Sequence, residues 1–184
     1  DADSPPALVF EDTFGPEARD VWTANACGIS IDDDLDSPAE SCLRIEDAGG
    51  NSQAFVRLAV EPGATYRLRI EGKRRADNRG EWHGCAAVSH IGGRGSQQSY
   101  LARTEFIGEA DRWHALSMEF TPRQSSLFVI LSSQNADGDV TWYRRLRIFR
   151  VRAAPLQVLP PVDEPPPTVE TVTLTGSPRE IGTL

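Results

Sequence analysis

Lysine, cysteine and long apolar runs are scarce in this chain of 184 residues. Lys73 is the single lysine, so arginine carries nearly all of the positive charge. No stretch approaches the roughly 18 apolar residues that a membrane-spanning helix needs, and we therefore expect no membrane span. Residues 1–6 lack the basic and apolar segments of a signal peptide.

The cysteines fit no familiar zinc or redox motif. No Cys-x-x-Cys pair occurs, which disfavours a zinc knuckle and a thioredoxin-like site. The chain has three cysteines, Cys27, Cys42 and Cys85, so at least one of them has no partner for an internal disulfide. Sequence spacing leaves open whether Cys27 and Cys42 are bridged.

Recognisable catalytic motifs are missing as well. The sequence has no Gly-x-Ser-x-Gly elbow, no phosphate-binding loop and no His-Glu-x-x-His zinc motif. The histidines are scattered, and we interpret them as structural residues. We interpret the acidic run Asp32–Asp34 as a solvated turn, because adjacent residues of an extended chain point to opposite sides and make a poor acid/base pair. The sequence therefore predicts a protein that is not an enzyme.

Charge is unevenly distributed along the chain, whose net charge is −8. Acidic residues dominate residues 1–64, whereas residues 65–152 carry an excess of arginine. One interpretation is that acidic and basic strands lie side by side in a sheet and neutralise each other. The other is that the arginines form a surface for the carboxylate, sulfate or phosphate groups of a ligand.

Short apolar runs separated by turn residues extend from Leu8 to Arg152, and helical periodicity is scarce. Residues 66–70 alternate apolar and charged side chains, which is typical of a strand with one buried face. We predict further strands at residues 8–14, 42–46, 54–60, 86–91, 100–107, 113–120, 127–132 and 140–151. This pattern indicates an all-β fold, an antiparallel β-sandwich of jelly-roll type.

The composition divides the chain into four parts. We expect an N-terminal tail over residues 1–6 and the β-sandwich domain over residues 7–152. Residues 153–167 are crowded with proline and form a predicted Pro-rich linker, since such runs favour extended polyproline geometry. Residues 168–184 are the start of a further segment or a disordered tail.

Several stretches share a pattern with a known class of domain. They are the opening strand Val9–Phe14 followed by Trp22, the strand, Pro-Gly turn and Tyr-led strand of Val60–Leu68, and the Trp-led strand of Trp113–Thr121. A final strand enters through the turn Asp137–Val140. Together they resemble the jelly-roll carbohydrate-binding modules of the family 4, 9 and 22 type, which have a galactose-binding-domain-like β-sandwich. The resemblance covers residues 8 to about 152 and implies a non-catalytic role in binding polysaccharide.

The resemblance also bears on calcium. Many such modules place an acid after the aromatic pair of the last strand, near a structural calcium, but here Arg144 and Arg145 follow Trp142-Tyr143. The remaining candidates for hard oxygen ligands of a structural calcium are acids in strand ends and turns. They are Glu11, Asp12, Asp137 and Asp139.

The four tryptophans receive different predictions. Trp22 and Trp113 match packing positions of the relatives, and we assign both to the core. Trp142 shares strand parity with Leu146 and Ile148, so we place it inward and Tyr143 outward. Trp82 lies in a polar, glycine-bracketed loop, where it either folds back on the core or stacks on a ligand.

A sugar site combines an aromatic plane with polar side chains, and the predicted ligand-binding residues follow from that requirement. Two arginines of one strand share a face, as do two of the last strand, so neighbouring strands would line one surface with guanidinium groups suited to an acidic polysaccharide. Nucleic acid is disfavoured because the whole chain is acidic. The predicted binding residues are Trp82, Arg79, Tyr100, Arg94, Arg67, Arg69 and Arg145.

The best functional prediction is a carbohydrate-binding module of a larger carbohydrate-active or surface protein, joined to its other domains through the linker and located outside the cytoplasm or at the cell surface. Two alternatives stay open. The first is a structural accessory domain that packs on a catalytic partner, such as a polysaccharide-synthesising glycosyltransferase. The second is a small polysaccharide lyase or hydrolase, which would pair Tyr100 with Arg103 or Arg94 but lacks a supporting motif.

Overall fold

The computed structural model of the chain describes residues 5–34, 37–50, 52–80, 83–91, 100–133 and 136–154. Within these ranges the fold consists of strands and one four-residue helix, α1. The elements are β1 (Ala7–Asp12), α1 (Ala18–Val21), β2 (Thr23–Asn25), β3 (Cys27–Asp34), β4 (Ser37–Asp47), β5 (Gln53–Ala59), β6 (Thr65–Arg74), β7 (Ala86–Ser89), β8 (Tyr100–Arg103), β9 (His114–Phe120), β10 (Ser126–Ser132) and β11 (Val140–Arg152).

Two antiparallel sheets face each other across the core. The six-stranded sheet has the order β3-β4-β11-β6-β9, with β1 pairing the second half of β11. The five-stranded sheet has the order β2-β5-β10-β7-β8. The chain passes from one sheet to the other between most successive strands, as from β9 to β10 and from β10 to β11. This arrangement confirms the predicted all-β sandwich.

The core lies between the sheets and follows the strand alternation. In β6, Tyr66, Leu68 and Ile70 are buried, whereas Arg67 and Arg69 point outward, as the sequence predicts. Trp22 is buried as predicted, with its Nε1 donating to Asp12 Oδ2 at 2.8 Å. No helix in the described ranges is long and apolar enough to cross a membrane.

The prediction that Trp142 of β11 faces the core and Tyr143 faces solvent is wrong. Tyr143 is fully buried, and Trp142 lies partly exposed on the outer surface. A β-bulge between Arg144 and Arg147 places two successive residues on one side, and Arg145 there adopts a positive φ of 55°. Because a bulge adds one residue to the strand, alternation counted backwards from Leu146 assigns every earlier side chain to the wrong face.

Tyr143 connects the two sheets through its hydroxyl group. The hydroxyl donates to the Ser132 carbonyl at 2.6 Å and lies 3.1 Å from the Cys85 carbonyl. A Cβ at Gly84 would lie 2.7 Å from the same hydroxyl, so this position requires glycine. Tyr143 is thus a polar anchor inside an otherwise apolar core.

Two further predictions are corrected. The acids Asp32–Asp34 belong to β3 rather than to a turn. Trp113 is outside the core cluster and lies half-buried on the outer surface of the six-stranded sheet. Residues 155–184, which include most of the predicted Pro-rich linker and the further segment, lie outside the described residues.

Candidate functional site

The outer surface of the six-stranded sheet carries the predicted arginines. In the register of β6 and β11, Arg69 is opposite Arg147 and Arg67 is opposite Phe149. Arg145 lies at the bulge of the same strand. The structure therefore brings Arg67, Arg69 and Arg145 onto one face, because β6 and β11 are direct neighbours.

Acids from the N-terminal half neutralise most of these arginines. Arg145 donates to Glu40 at 2.5 Å and to Glu71 at 3.0 Å, and Arg147 donates to Glu11 at 2.6 Å. The hydrogen bonds that Arg145 donates to Glu40 and Glu71 raise the pKa of Arg145. The pairing of acidic and basic strands, the first of the two charge interpretations, is what the sheet shows.

Arg69 differs from its neighbours. It is exposed and has no carboxylate partner among the described side chains; its guanidinium carbon lies 5.9 Å from the centre of the Phe149 ring. It lines an open groove of about 640 Å³ on the sheet surface. A second cavity of about 240 Å³ shares Arg69 and Phe149 with this groove. We call the two cavities together the arginine groove.

Two tryptophans on the same sheet are covered by cations. Lys73 Nζ lies 5.0 Å from the ring centre of Trp113 and 5.6 Å from that of Trp142. The Arg144 guanidinium carbon lies 4.2 Å from the Trp113 ring. Trp142 also donates from Nε1 to Asp32 at 3.1 Å. These rings serve cation–π packing within the sheet rather than forming an open plane for a sugar.

The five-stranded sheet has an aromatic outer surface that the sequence analysis missed. Phe55 and Phe128 alternate with core residues of β5 and β10 and are only partly buried. Their rings meet edge to face, with centroids 5.8 Å apart at 75°. Ile130 is paired with Phe55 on one side and with Ala87 on the other. Ile130 and Ala87 are buried, so we call the surface of Phe55 and Phe128 the aromatic face.

Polar residues lie at one end of the aromatic face. Gln53 is on the same side of β5 as Phe55 and donates from Nε2 to the Tyr100 hydroxyl at 2.9 Å. Its other amide atom, Oε1, is buried and has no hydrogen-bond partner. Burial raises the pKa of Tyr100, so this phenol is neutral at physiological pH. An unpaired acceptor in a buried position is costly to the fold.

Arg79 is anchored by hydrogen bonds to the turn that precedes β11. Its backbone N–H and that of Gly80 each donate to Asp139 at 2.8 Å, and its guanidinium donates to the Asp137 carbonyl at 2.9 Å. Trp82 and Arg94, the other predicted loop residues, lie outside the described residues. Ligand binding by this loop stays a prediction.

The four acids predicted as calcium ligands are not brought together. Asp12 accepts from the Phe14 N–H and from Trp22, and Glu11 pairs with Arg147. These two lie beside residues 146–147 of β11, roughly 20 Å along the strand from Asp137 and Asp139 at its start. Within the described ranges no group of three or more acids, histidines or cysteines is placed to hold a metal ion. Calcium binding by these acids stays a prediction.

The cysteines are all free thiols. Cys27 donates to the Gln53 carbonyl at 3.4 Å and Cys42 to the Asp32 carbonyl at 3.5 Å, so the bridge left open by the sequence is not formed. Burial raises the pKa of Cys27 and of Cys85, which keeps both protonated and weakly nucleophilic.

His90 and His114 have structural hydrogen bonds. His90 Nδ1 lies 3.2 Å from the Ser126 carbonyl, and its Nε2 accepts from the Arg123 N–H at 3.1 Å. His114 Nε2 lies 2.8 Å from the Glu109 carbonyl. These contacts support the interpretation of both histidines as structural residues.

Comparison with known proteins decides the fold family of this arrangement. No protein-family model matches the chain, and no curated protein sequence matches it. The CBM22-1 xylan-binding domain from Paenibacillus barcinonensis Xyn10C superposes with a TM-score of 0.59 at 15% identity, over 81% of this chain and 97% of that domain. A further solved structure, a xylan-binding domain from CBM 22, gives a TM-score of 0.60 at 13% identity over 81% and 98% of the two chains. The chain therefore has the same β-sandwich fold as these solved domains.

The fold likeness extends beyond one family of modules. A family 16 carbohydrate-binding module superposes with a TM-score of 0.52 at 14% identity, over 74% of this chain and 99% of that one. The chain spans 28% of a Clostridium thermocellum xylanase structure that joins a CBM22-1 module to a GH10 module. These modules are therefore similar to this chain in architecture, at low sequence identity.

Proposed function

We propose that this chain is a non-catalytic carbohydrate-binding module and that it binds saccharide on the aromatic face. The observation that carries the proposal is the Phe55–Phe128 pair on the outside of a sheet, beside the buried, unpartnered Oε1 of Gln53. A sugar ring has an apolar C–H face and a polar edge. The aromatic rings offer a surface for the first, and the partly buried Tyr100, held by Gln53, offers a hydrogen bond for the second.

The site is built on strands, which favours binding with little loss of conformational entropy. Phe55 and Phe128 lie on β5 and β10, the paired central strands of the five-stranded sheet. A surface that is already ordered needs no folding on association, so more of the contact energy appears as affinity. The solved xylan-binding domains of the same fold support a polymeric saccharide as the ligand class.

The setting of the module is part of the proposal. We infer that it belongs to a larger carbohydrate-active or surface protein, that the proline-rich residues 153–167 tether it to the other domains, and that it works outside the cytoplasm. A solved xylanase structure in which a CBM22-1 module is joined to a GH10 module supports this setting. The loop prediction is retained here as a rival location, with Trp82 stacking and Arg79 and Arg94 making polar contacts.

A structural accessory domain is the second candidate function, and one observation favours it. Leu8 and Val9 on β1 are about half exposed, and beside them lies an apolar cavity of about 170 Å³ whose walls include Phe10, Leu58 and Phe120. An apolar surface of this kind suits packing against another domain. Under this alternative the module would position a partner and bind no glycan.

A glycan array and affinity electrophoresis on soluble polysaccharides test the proposal. Phe55→Ala and Phe128→Ala should each abolish most of the signal, while the matched control Arg112→Ala, at an exposed surface ion pair, should leave it unchanged. Melting temperatures verify that each variant is folded. Loss in Trp82→Ala with retention in both phenylalanine variants would move the site to the loop. Silence of the wild-type chain on neutral and acidic glycans would refute binding and favour the accessory domain.

A further inference from the structure

The arginine groove lies on the sheet opposite to the aromatic face, so one saccharide segment cannot occupy both surfaces at once. Its walls come from β4, β6, β9 and β11 and include Glu40, Arg69, Glu71, Ser117, Arg147 and Phe149. The volume of about 640 Å³ is within the range of protein ligand sites. The smaller cavity continues it beside Arg67 and Val151, so the surface runs along the strands.

Most arginines around the groove are paired with a carboxylate, and Arg69 is the exception. Arg144, Arg145 and Arg147 are matched by Glu11, Glu40 and Glu71 through contacts of 2.5–3.6 Å. On β6, Arg67 is paired with Glu119 at 2.6 Å. Arg69 alone among these arginines has no carboxylate within the described residues, and the Phe149 ring supports its guanidinium. The groove therefore presents one uncompensated positive charge with a free planar fork.

The rest of the groove suits hydroxyl groups. Glu40 and Glu71 are acceptors, and Ser117 on β9 adds a hydroxyl whose own hydrogen is given to the Leu68 carbonyl at 3.0 Å. Nucleic-acid binding depends on several phosphate contacts at once, whereas this groove offers one uncompensated positive charge. A ligand with many hydroxyls and an anionic group beside Arg69 meets both requirements.

We infer that the arginine groove is a second saccharide site, in which Arg69 binds the carboxylate or sulfate group of an acidic polysaccharide. The inference deepens the proposed function, on which it rests, by naming an anionic ligand class for a surface separate from the aromatic face. A guanidinium–oxyanion pair is charge-assisted and bidentate, so it supplies both affinity and orientation. The strands of the sheet hold the arginine in place before the ligand arrives.

Calorimetric titration with defined oligosaccharides tests this site. The probes are a galacturonate trimer, a sulfated disaccharide and a neutral xylo-oligosaccharide. Arg69→Ala should weaken binding of at least one acidic probe by about ten-fold or more, the loss expected for a hydrogen-bonded charge. It should leave the neutral probe unchanged, since that ligand binds at the aromatic face. The acidic probe that loses affinity identifies the anion as carboxylate or sulfate.

Arg67→Ala is the matched control, because Arg67 lies on the same strand and face but is already paired with Glu119. It should change affinity by less than about three-fold. Equal losses in both variants would point to general charge attraction and overturn the site, as would unchanged binding in Arg69→Ala or no binding of either acidic probe. Phe128→Ala distinguishes the two surfaces: it should abolish binding of the neutral probe and leave binding of the acidic probes unchanged. The proposal for the aromatic face and the proposal for the arginine groove are therefore tested by different measurements.

Discussion

Removing the hydroxyl of Tyr143 tests the most consequential feature of the fold, the bulge that turns this side chain inward. In Tyr143→Phe the ring still fills its place, but the Ser132 carbonyl loses a 2.6 Å hydrogen bond, while the Cys85 carbonyl keeps its hydrogen bonds from the Ser132 N–H and hydroxyl. A lost buried bond with a stranded acceptor costs about 1–3 kcal/mol. For a domain of this size, that lowers the melting temperature by roughly 3–10 °C.

Denaturant unfolding followed by tryptophan fluorescence gives the free energy directly. The midpoint should fall while the slope with denaturant stays the same, because the surface exposed on unfolding is unchanged. Tyr143→Leu, which also removes ring volume, should cost more than Tyr143→Phe. A Tyr143→Phe protein as stable as the wild type would refute the inward placement and restore the simple alternation, with Tyr143 facing solvent.

Three further predictions concern buried polar groups. Burial raises the pKa of Asp47 above its ordinary 3.8, so ionisation of this carboxyl group disfavours the folded state. The free energy of unfolding should therefore fall as pH rises from about 4 through the folded-state pKa. Asp47→Asn should lessen that fall, as measured by denaturant unfolding at a series of pH values. Asp139→Ala should destabilise the fold by about 1–3 kcal/mol and speed hydrogen exchange at the amides of Arg79 and Gly80, and unchanged exchange would contradict the assigned contacts. Thiol titration should count three thiols after unfolding without reductant, with Cys85 reacting slowly in the folded protein; a count of one would indicate a disulfide.

Most strands could be predicted because each alternates or forms a short apolar run bounded by turn residues. β3 was missed since its second half is a run of acids, which are depleted in strands and resemble a turn. Two other strands supply the explanation: Arg44 of β4 lies 3.7 Å from Asp32, and Trp142 of β11 donates to the same carboxylate. Contacts across strands therefore stabilise a segment whose own propensity is poor.

The candidate sites were less accessible to sequence reasoning. Arg67 and Arg69 were correctly placed on one face, yet only the pairing of strands shows that Arg67 is neutralised and Arg69 is not. Phe55 and Phe128 were read as parts of apolar strands. A signal was present, because both alternate with smaller core residues, but the sequence cannot tell which of two apolar faces lies outside.

By itself, the sequence determined the class of fold: its turn residues and two-residue periodicity permit a sandwich and exclude a helical domain. It also determined the arginine-rich character of β6 and β11. The tertiary structure decided which charges meet, where the bulge reverses β11, and that Phe55 and Phe128 share an outer surface. The physical reason is that periodicity is a local property, whereas ion pairing, strand neighbours and a bulge depend on residues far apart in the chain.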